Sequence, residues 1–295
     1  MMMAPEYYVF TGRDGEVIPW HMNITHVLID KALKFVAARA FYNHPDIEEV
    51  ICHDGVEKIE QYAFYHCRSL RRVIMPGVKI IEKHAFRICK ALTYIECGKL
   101  EKIGEWAFLS CKSLSSIDLP SAKIVEIEAL EDCTSLTIAK FGNEIESIRE
   151  RVFYNCPSLE RIALPLKDGI ITSDNTFQRC VKLNHVDLIG GVKETIDAFL
   201  MEEWKNDMKD EIDAINRILP NTPAGTNFYE EGGKAQAIRA WIRPVLLKII
   251  HYKAEHCRYL NVAVATLQPA LPNDIVQKNV LAFLELPSYT FEGEN

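Results

Sequence analysis

Over most of its length the chain repeats one pattern of apolar and polar positions every 22 to 24 residues. The dipeptide Ala-Phe, or a near variant, stands at Ala40-Phe41, Ala63-Phe64, Ala85-Phe86, Ala107-Phe108, Ala129-Leu130, Val152-Phe153, Thr176-Phe177 and Ala198-Phe199. Three residues after the aromatic position comes a Cys, at Cys67, Cys89, Cys111, Cys133, Cys156 and Cys180, and three residues after each Cys comes a Leu. From that Leu, apolar residues recur at positions 1, 4 and 6, as in Leu70-Val73-Met75 and Leu114-Ile117-Leu119. Such alternation marks a strand with one buried face. The pattern predicts strands over 24–29, 47–52, 70–75, 92–97, 114–119, 136–141, 159–164 and 183–188. A second apolar pair precedes most of the dipeptides and is expected to line the opposite wall. It runs from Leu33 and Val36 to Ile124 and Ile127, then Ile145 and Ile148. Units of this size cannot bury their apolar faces alone, so they stack. The prediction is a solenoid over residues 24–192 in about eight units.

Both flanks break the pattern. Residues 1–23, with an apolar stretch from Tyr7 to Phe10, read as an N-terminal cap, because a stack needs an atypical end to cover its core. After Gly190-Gly191 the period becomes helical: Leu200, Trp204, Met208, Ile212, Ile215 and Leu219 recur three or four residues apart, and Pro220 ends the run. A second helix is predicted over 234–267, with a heptad seam of Ile238, Ile242, Val245, Ile249, Tyr252, His256, Tyr259 and Ala263. An antiparallel partner such as the first helix could fill that seam. Asn273 can cap a short helix from Asp274 to Glu285. Residues 193–295 are therefore expected to form a helical module, a hairpin plus a short helix.

The best-formed unit reads Ile103-Gly104-Glu105-Trp106-Ala107-Phe108, then Cys111, Leu114 and Ile117-Asp118-Leu119-Pro120. This run, with its recurrence, resembles the BspA-like branch of the leucine-rich-repeat superfamily, the leucine-rich repeat 5 type. Local departures are Leu130 for the aromatic, Val152 and Thr176 for Ala, and His44 where the first Cys would stand. The resemblance implies a right-handed leucine-rich-repeat superhelix of stacked parallel strands, followed here by the α-helical module. It also implies protein binding; bacterial members are often surface adhesins.

Composition narrows the function. The chain has 41 acidic and 34 basic residues, a formal charge of −7, and no basic block. Sequence-independent nucleic-acid binding needs a cationic footprint, so no nucleic-acid partner is expected. The segment Met1 to Gly12 carries Glu6 and no signal-peptide apolar run, and no stretch reaches membrane-spanning length. The expectation is an intracellular, cytoplasmic protein with no membrane partner. Six of the nine Cys belong to the repeat and are expected to be structural thiols in a buried turn, not disulfides, metal ligands or redox groups.

No nucleophile elbow, phosphate loop, dinucleotide fingerprint or zinc spacing is present. His251-x-x-x-Glu255-His256-Cys257 lacks the second His that a metal helix would carry at i+4. No catalysis, cofactor or metal is therefore expected. What remains is surface. Between the inward strand positions lie two outward columns: His26, Glu49, Arg72, Tyr94, Ser116, Ile138, Arg161 and His185, then Leu28, Ile51, Ile74, Glu96, Asp118, Lys140, Ala163 and Asp187. Arg, Tyr and His mixed with exposed apolar residues is the composition of protein interfaces. The expectation is a non-enzymatic scaffold that binds a protein through Glu49, Ile51, Arg72, Ile74, Tyr94, Glu96, Asp118, Ile138, Lys140, Arg161 and His185. The alternative is a structural protein that forms homo-oligomers through its C-terminal helices, with the solenoid as a spacer.

Overall fold

The computed structural model describes residues 6–12, 17–19, 21–225 and 233–269; the expected helix over 274–285 lies outside them. Every repeat contributes one strand to a front wall. Tyr7–Phe10, His26–Ile29, Glu49–Ile51, Arg72–Ile74 and Tyr94–Glu96 form a five-stranded sheet. Ser116–Leu119, Ile138–Phe141, Arg161–Pro165 and His185–Ile189 form a four-stranded one. All pairings are parallel, between strands one repeat apart. Tyr7–Phe10 is thus more than a cap: it pairs in register with His26–Ile29, and its Phe10 ring packs 4.8 Å from Phe41.

The back wall is a six-stranded sheet of two-residue strands from Phe35–Val36 to Ser147–Ile148. Its inward residues are Val36, Ile59, Ile81, Ile103, Val125 and Ile148, all fully buried. One expected pair is corrected here. Val125 pairs in register with Ile103 and Ile148, so Val125 and Ala122 fill the core while Ile124 and Ile127 are only half-buried. The larger side chains lost to the register that the ladder imposes.

Between the walls the rings of Phe41, Phe64, Phe86 and Phe108 stack nearly parallel at 5.0, 5.1 and 5.3 Å. The small Ala beside each ring lets successive backbones approach, and the N–H groups of Phe64, Phe86 and Phe108 each bond the Ala carbonyl of the next unit at 2.8 Å. Each turn here passes twice through left-handed backbone, at positions such as His84 and Ile88 or Trp106 and Ser110. Non-glycine residues adopt that region at a cost. The inter-unit hydrogen bonds hold them there.

Three helices close the C-terminal end: α1 (Val192–Asp197), α2 (Glu202–Ile218) and α3 (Lys234–Leu267). An open sheet would leave the last strand with unpaired main-chain groups. Asn216 on α2 meets this need: its side chain accepts from Val186 N–H at 2.8 Å and donates to Val186 C=O at 3.3 Å, as a neighbouring strand would. Lys234, 3% exposed, donates to the carbonyls of Leu183 and Leu219 and so joins the last repeat to the end of α2 and the start of α3. Arg239 and Arg243 tie α3 to Asp174 and Asp168 of the solenoid. The seam residues Ile238, Ile242, Val245 and Ile249 are buried in one core with Met208 and Ile215 of α2 and the repeats.

Candidate functional site

Strand alternation turns every second front-wall residue away from the core, and the parallel register stacks these residues into columns. The first column runs Tyr7, His26, Glu49, Arg72, Tyr94 and resumes with Ser116, Ile138, Arg161, His185. The second runs Val9, Leu28, Ile51, Ile74, Glu96 and resumes with Asp118, Lys140, Ala163, Asp187. Every residue that the sequence placed on this face stands in one of the two columns. The ladder is interrupted between Tyr94–Glu96 and Ser116–Leu119, so the face has two halves with different chemistry.

In the N-terminal half, Glu49 accepts the Tyr7 hydroxyl at 2.6 Å and lies 3.5 Å from the Arg72 guanidinium. The bond to Glu49 raises the Tyr7 phenol pKa. Arg72 in turn covers the Tyr94 ring at 5.3 Å. These groups hold one another in place. Alongside them runs an apolar stripe, with Val9 45% and Leu28 37% exposed and Ile51 and Ile74 half-buried. In the C-terminal half, Asp187 accepts two bonds from Arg161, at 2.7 and 3.2 Å, and approaches His185 Nε2 at 3.1 Å. Ile138 and Lys140 face outward one strand before this cluster. Beyond it, where α1 and α2 meet the last strand, a cavity of about 370 Å³ opens over Leu188, Val192, Ile196 and Ile212.

Tyr7 and Val9 were not expected on this face. A signal was present, since Tyr8 and Phe10 match positions 4 and 6 of the strand pattern, but no Leu at position 1 and no Ala-Phe precede them.

A second ladder follows the edge of the turns, formed by the residue before each Ala. Arg39 lies over Tyr62 at 5.6 Å, Tyr62 stacks on His84 at 4.6 Å, and His84 stacks on Trp106 at 4.7 Å. Trp106 Nε1 donates to Glu128 at 2.5 Å, and Glu128 pairs with Arg151 at 3.0 Å. Burial beside Arg87 and Lys83 lowers the His84 pKa to about 4. These rings spend their faces on each other and so brace the turns.

The thiol column offers no reactive group. Desolvation pushes Cys67, Cys133 and Cys180 up to about 12 and the other column thiols well above their usual value. Among the described residues no group of three or more His, Cys, Asp or Glu is placed to hold a metal ion, and no helix is long and apolar enough to cross a membrane.

Comparison with known proteins agrees with this architecture. The BspA type leucine rich repeat region matches residues 20–127 and 102–203, in six copies. No curated protein matches the chain. Among solved structures, a T. pallidum leucine rich repeat protein is similar, at 28% identity and a TM-score of 0.50, over 53% of this chain and 77% of its own. A leucine rich cell surface protein of Faecalibacterium prausnitzii has 16% identity and a TM-score of 0.31, covering 62% of this chain and 81% of its own. A leucine-rich repeat protein of Bacteroides ovatus has 20% identity and a TM-score of 0.31, covering 57% and 62%.

Proposed function

The chain belongs to the BspA-type leucine-rich-repeat family, and from that premise we propose that it is a non-enzymatic scaffold holding a protein partner on its front strand face. One observation carries the reading. Arg72 is held by Glu49 and lies over Tyr94, beside a stripe of exposed Val9 and Leu28 and half-buried Ile51 and Ile74, on strands locked in register. A partner docking there meets a preorganised surface and loses little to ordering. The acidic charge speaks against nucleic acid, and nine unpaired thiols favour a reducing, intracellular compartment. Oligomerisation through the C-terminal helices is the weaker reading, because the first half of the α3 seam, Ile238, Ile242, Val245 and Ile249, is already buried within the chain.

The test is capture of the natural partner by the full chain. Arg72→Ala with Tyr94→Ala should leave the melting temperature nearly unchanged and weaken capture at least tenfold, about 1.4 kcal/mol. The control pair is Leu247→Ala with Val262→Ala, both exposed on α3. Capture lost in the helix pair and kept in the strand pair would move the site to the helical module.

A further inference from the structure

The apolar stripe of the second column does not fade into neutral surface. Val9, Leu28, Ile51 and Ile74 are register neighbours, and the residue after Ile74 in the column is Glu96. Asp118 follows on the next strand, across the break in the ladder, with its main-chain carbonyl 3.8 Å from the Cys97 thiol. The cations of this face are largely spent: Arg72 on Glu49 and Tyr94, Arg161 on Asp187. Among the described residues the carboxylates of Glu96 and Asp118 have no hydrogen bond or ion pair, and both are exposed. Lys140 continues the column beyond Asp118, in register with it but outside ion-pair distance. The face therefore reads as four apolar steps followed by two unneutralised acids.

Spacing decides which backbone fits those steps. Parallel strands lie about 4.8 Å apart, so three steps span about 14 Å. A helix laid across the strands advances about 5.4 Å per turn, so residues i, i+4, i+7 and i+11 span about 16 Å and stay near one residue per strand. An extended segment repeats a side every two residues, about 6.7 Å, and over three steps overshoots by about 6 Å. The geometry points to an amphipathic helix of a partner protein lying across the N-terminal half of the front face and reaching over the break to Asp118. Its apolar residues cover Leu28, Ile51 and Ile74, and an Arg or Lys one or two turns further meets Glu96 and Asp118. This rests on the reading of the strand face as the partner site and adds the partner's chemistry.

The experiment is selection from a displayed library of helical 20-residue peptides on the full chain, and in parallel on the Glu96→Lys/Asp118→Lys variant, whose exposed changes leave the core intact. Peptides enriched on the wild type should carry apolar residues at i, i+3 or i+4, i+7 and i+11, with Arg or Lys in the following two turns. The reversed variant should enrich Asp or Glu at those last positions. A synthetic peptide from the first selection should bind the variant at least tenfold more weakly. No enrichment, enrichment without the apolar repeat, or identical basic peptides on both proteins would overturn the inference. Such a result, with Arg72→Ala/Tyr94→Ala still losing the natural partner, would leave the docking face standing and remove only the helix.

Discussion

The thiol of Cys111 donates to the main-chain oxygen of Phe86, one unit back in the chain, at 3.2 Å. The same bond recurs from Cys67 to Phe41, Cys89 to Phe64, Cys133 to Phe108, Cys156 to Leu130 and Cys180 to Phe153, at 3.0 to 3.4 Å. Each thiol is a weak donor inside a dry core, where it ties one turn to the next. Reaction needs a thiolate, and burial holds these groups protonated. Thiol-reagent labelling of native protein should therefore modify Cys257, which is exposed, quickly. The other eight cysteines are buried and should label only as fast as the chain opens, as a denaturant series would show. Prompt labelling of several column thiols in folded protein would contradict this role.

Gly98 and Gly142 hold the same place in their units, one residue after the last inward strand position, yet their surroundings differ. A Cβ at Gly98 meets nothing within 4 Å, whereas one at Gly142 would sit 1.7 Å from the Pro120 carbonyl oxygen. Gly98→Ala should be neutral or stabilise by up to about 1 kcal/mol, through the unfolded chain. Gly142→Ala must push main chain apart and should cost at least about 2 kcal/mol. Urea midpoints of the two variants check the contrast, and equal values would rule out the close approach.

Ile88 is a β-branched residue in left-handed backbone, with φ 65°. The equivalent positions hold Asn43, His66, Ser110, Asp132, Asn155 and Arg179, most of them types that tolerate this region better. Ile88→Asn is expected to stabilise by about 1 kcal/mol. A lower melting temperature would mean that the apolar contacts of the half-buried side chain outweigh its backbone strain.

Glu131 lies largely buried beside Glu128, and Arg151 bridges the two carboxylates at 3.2 and 3.0 Å. Burial first, then the bond and charge of Glu128, raise its pKa to about 7. The folded state then keeps a proton that the unfolded chain releases near its ordinary value of 4.5. By linkage this contribution to stability falls as pH rises from about 4.5 through about 7. Glu131→Gln should remove that fall, so the variant gains on wild type between pH 5 and pH 8 in denaturant midpoints. A constant difference across this range would show that Glu131 ionises normally.

Much of the molecule was legible in the residues because its information is local and repeated. Apolar residues at positions 1, 4 and 6 decide which side of Leu70-Val73-Met75 faces the core, and equal repeats carry Arg72 and Tyr94 into one column without any knowledge of the fold. The same regularity marked the Cys column as buried. It misjudged Ile124 and Ile127, where hydrophobicity was a poorer guide than the pairing of Val125 with Ile103 and Ile148.

What only the tertiary structure decided are relations between residues a repeat or more apart. Tyr7–Phe10 joins the front sheet because its main chain finds His26–Ile29, and Asn216 closes the far edge because α2 brings an amide to Val186. Arg72 and Glu96 are both outward charges in the sequence, yet one is neutralised by Glu49 and the other is left open. A one-dimensional pattern determines which way a side chain points, since that depends on backbone periodicity. Which charge meets which depends on register and reach across neighbouring strands, and these exist only once the units have stacked.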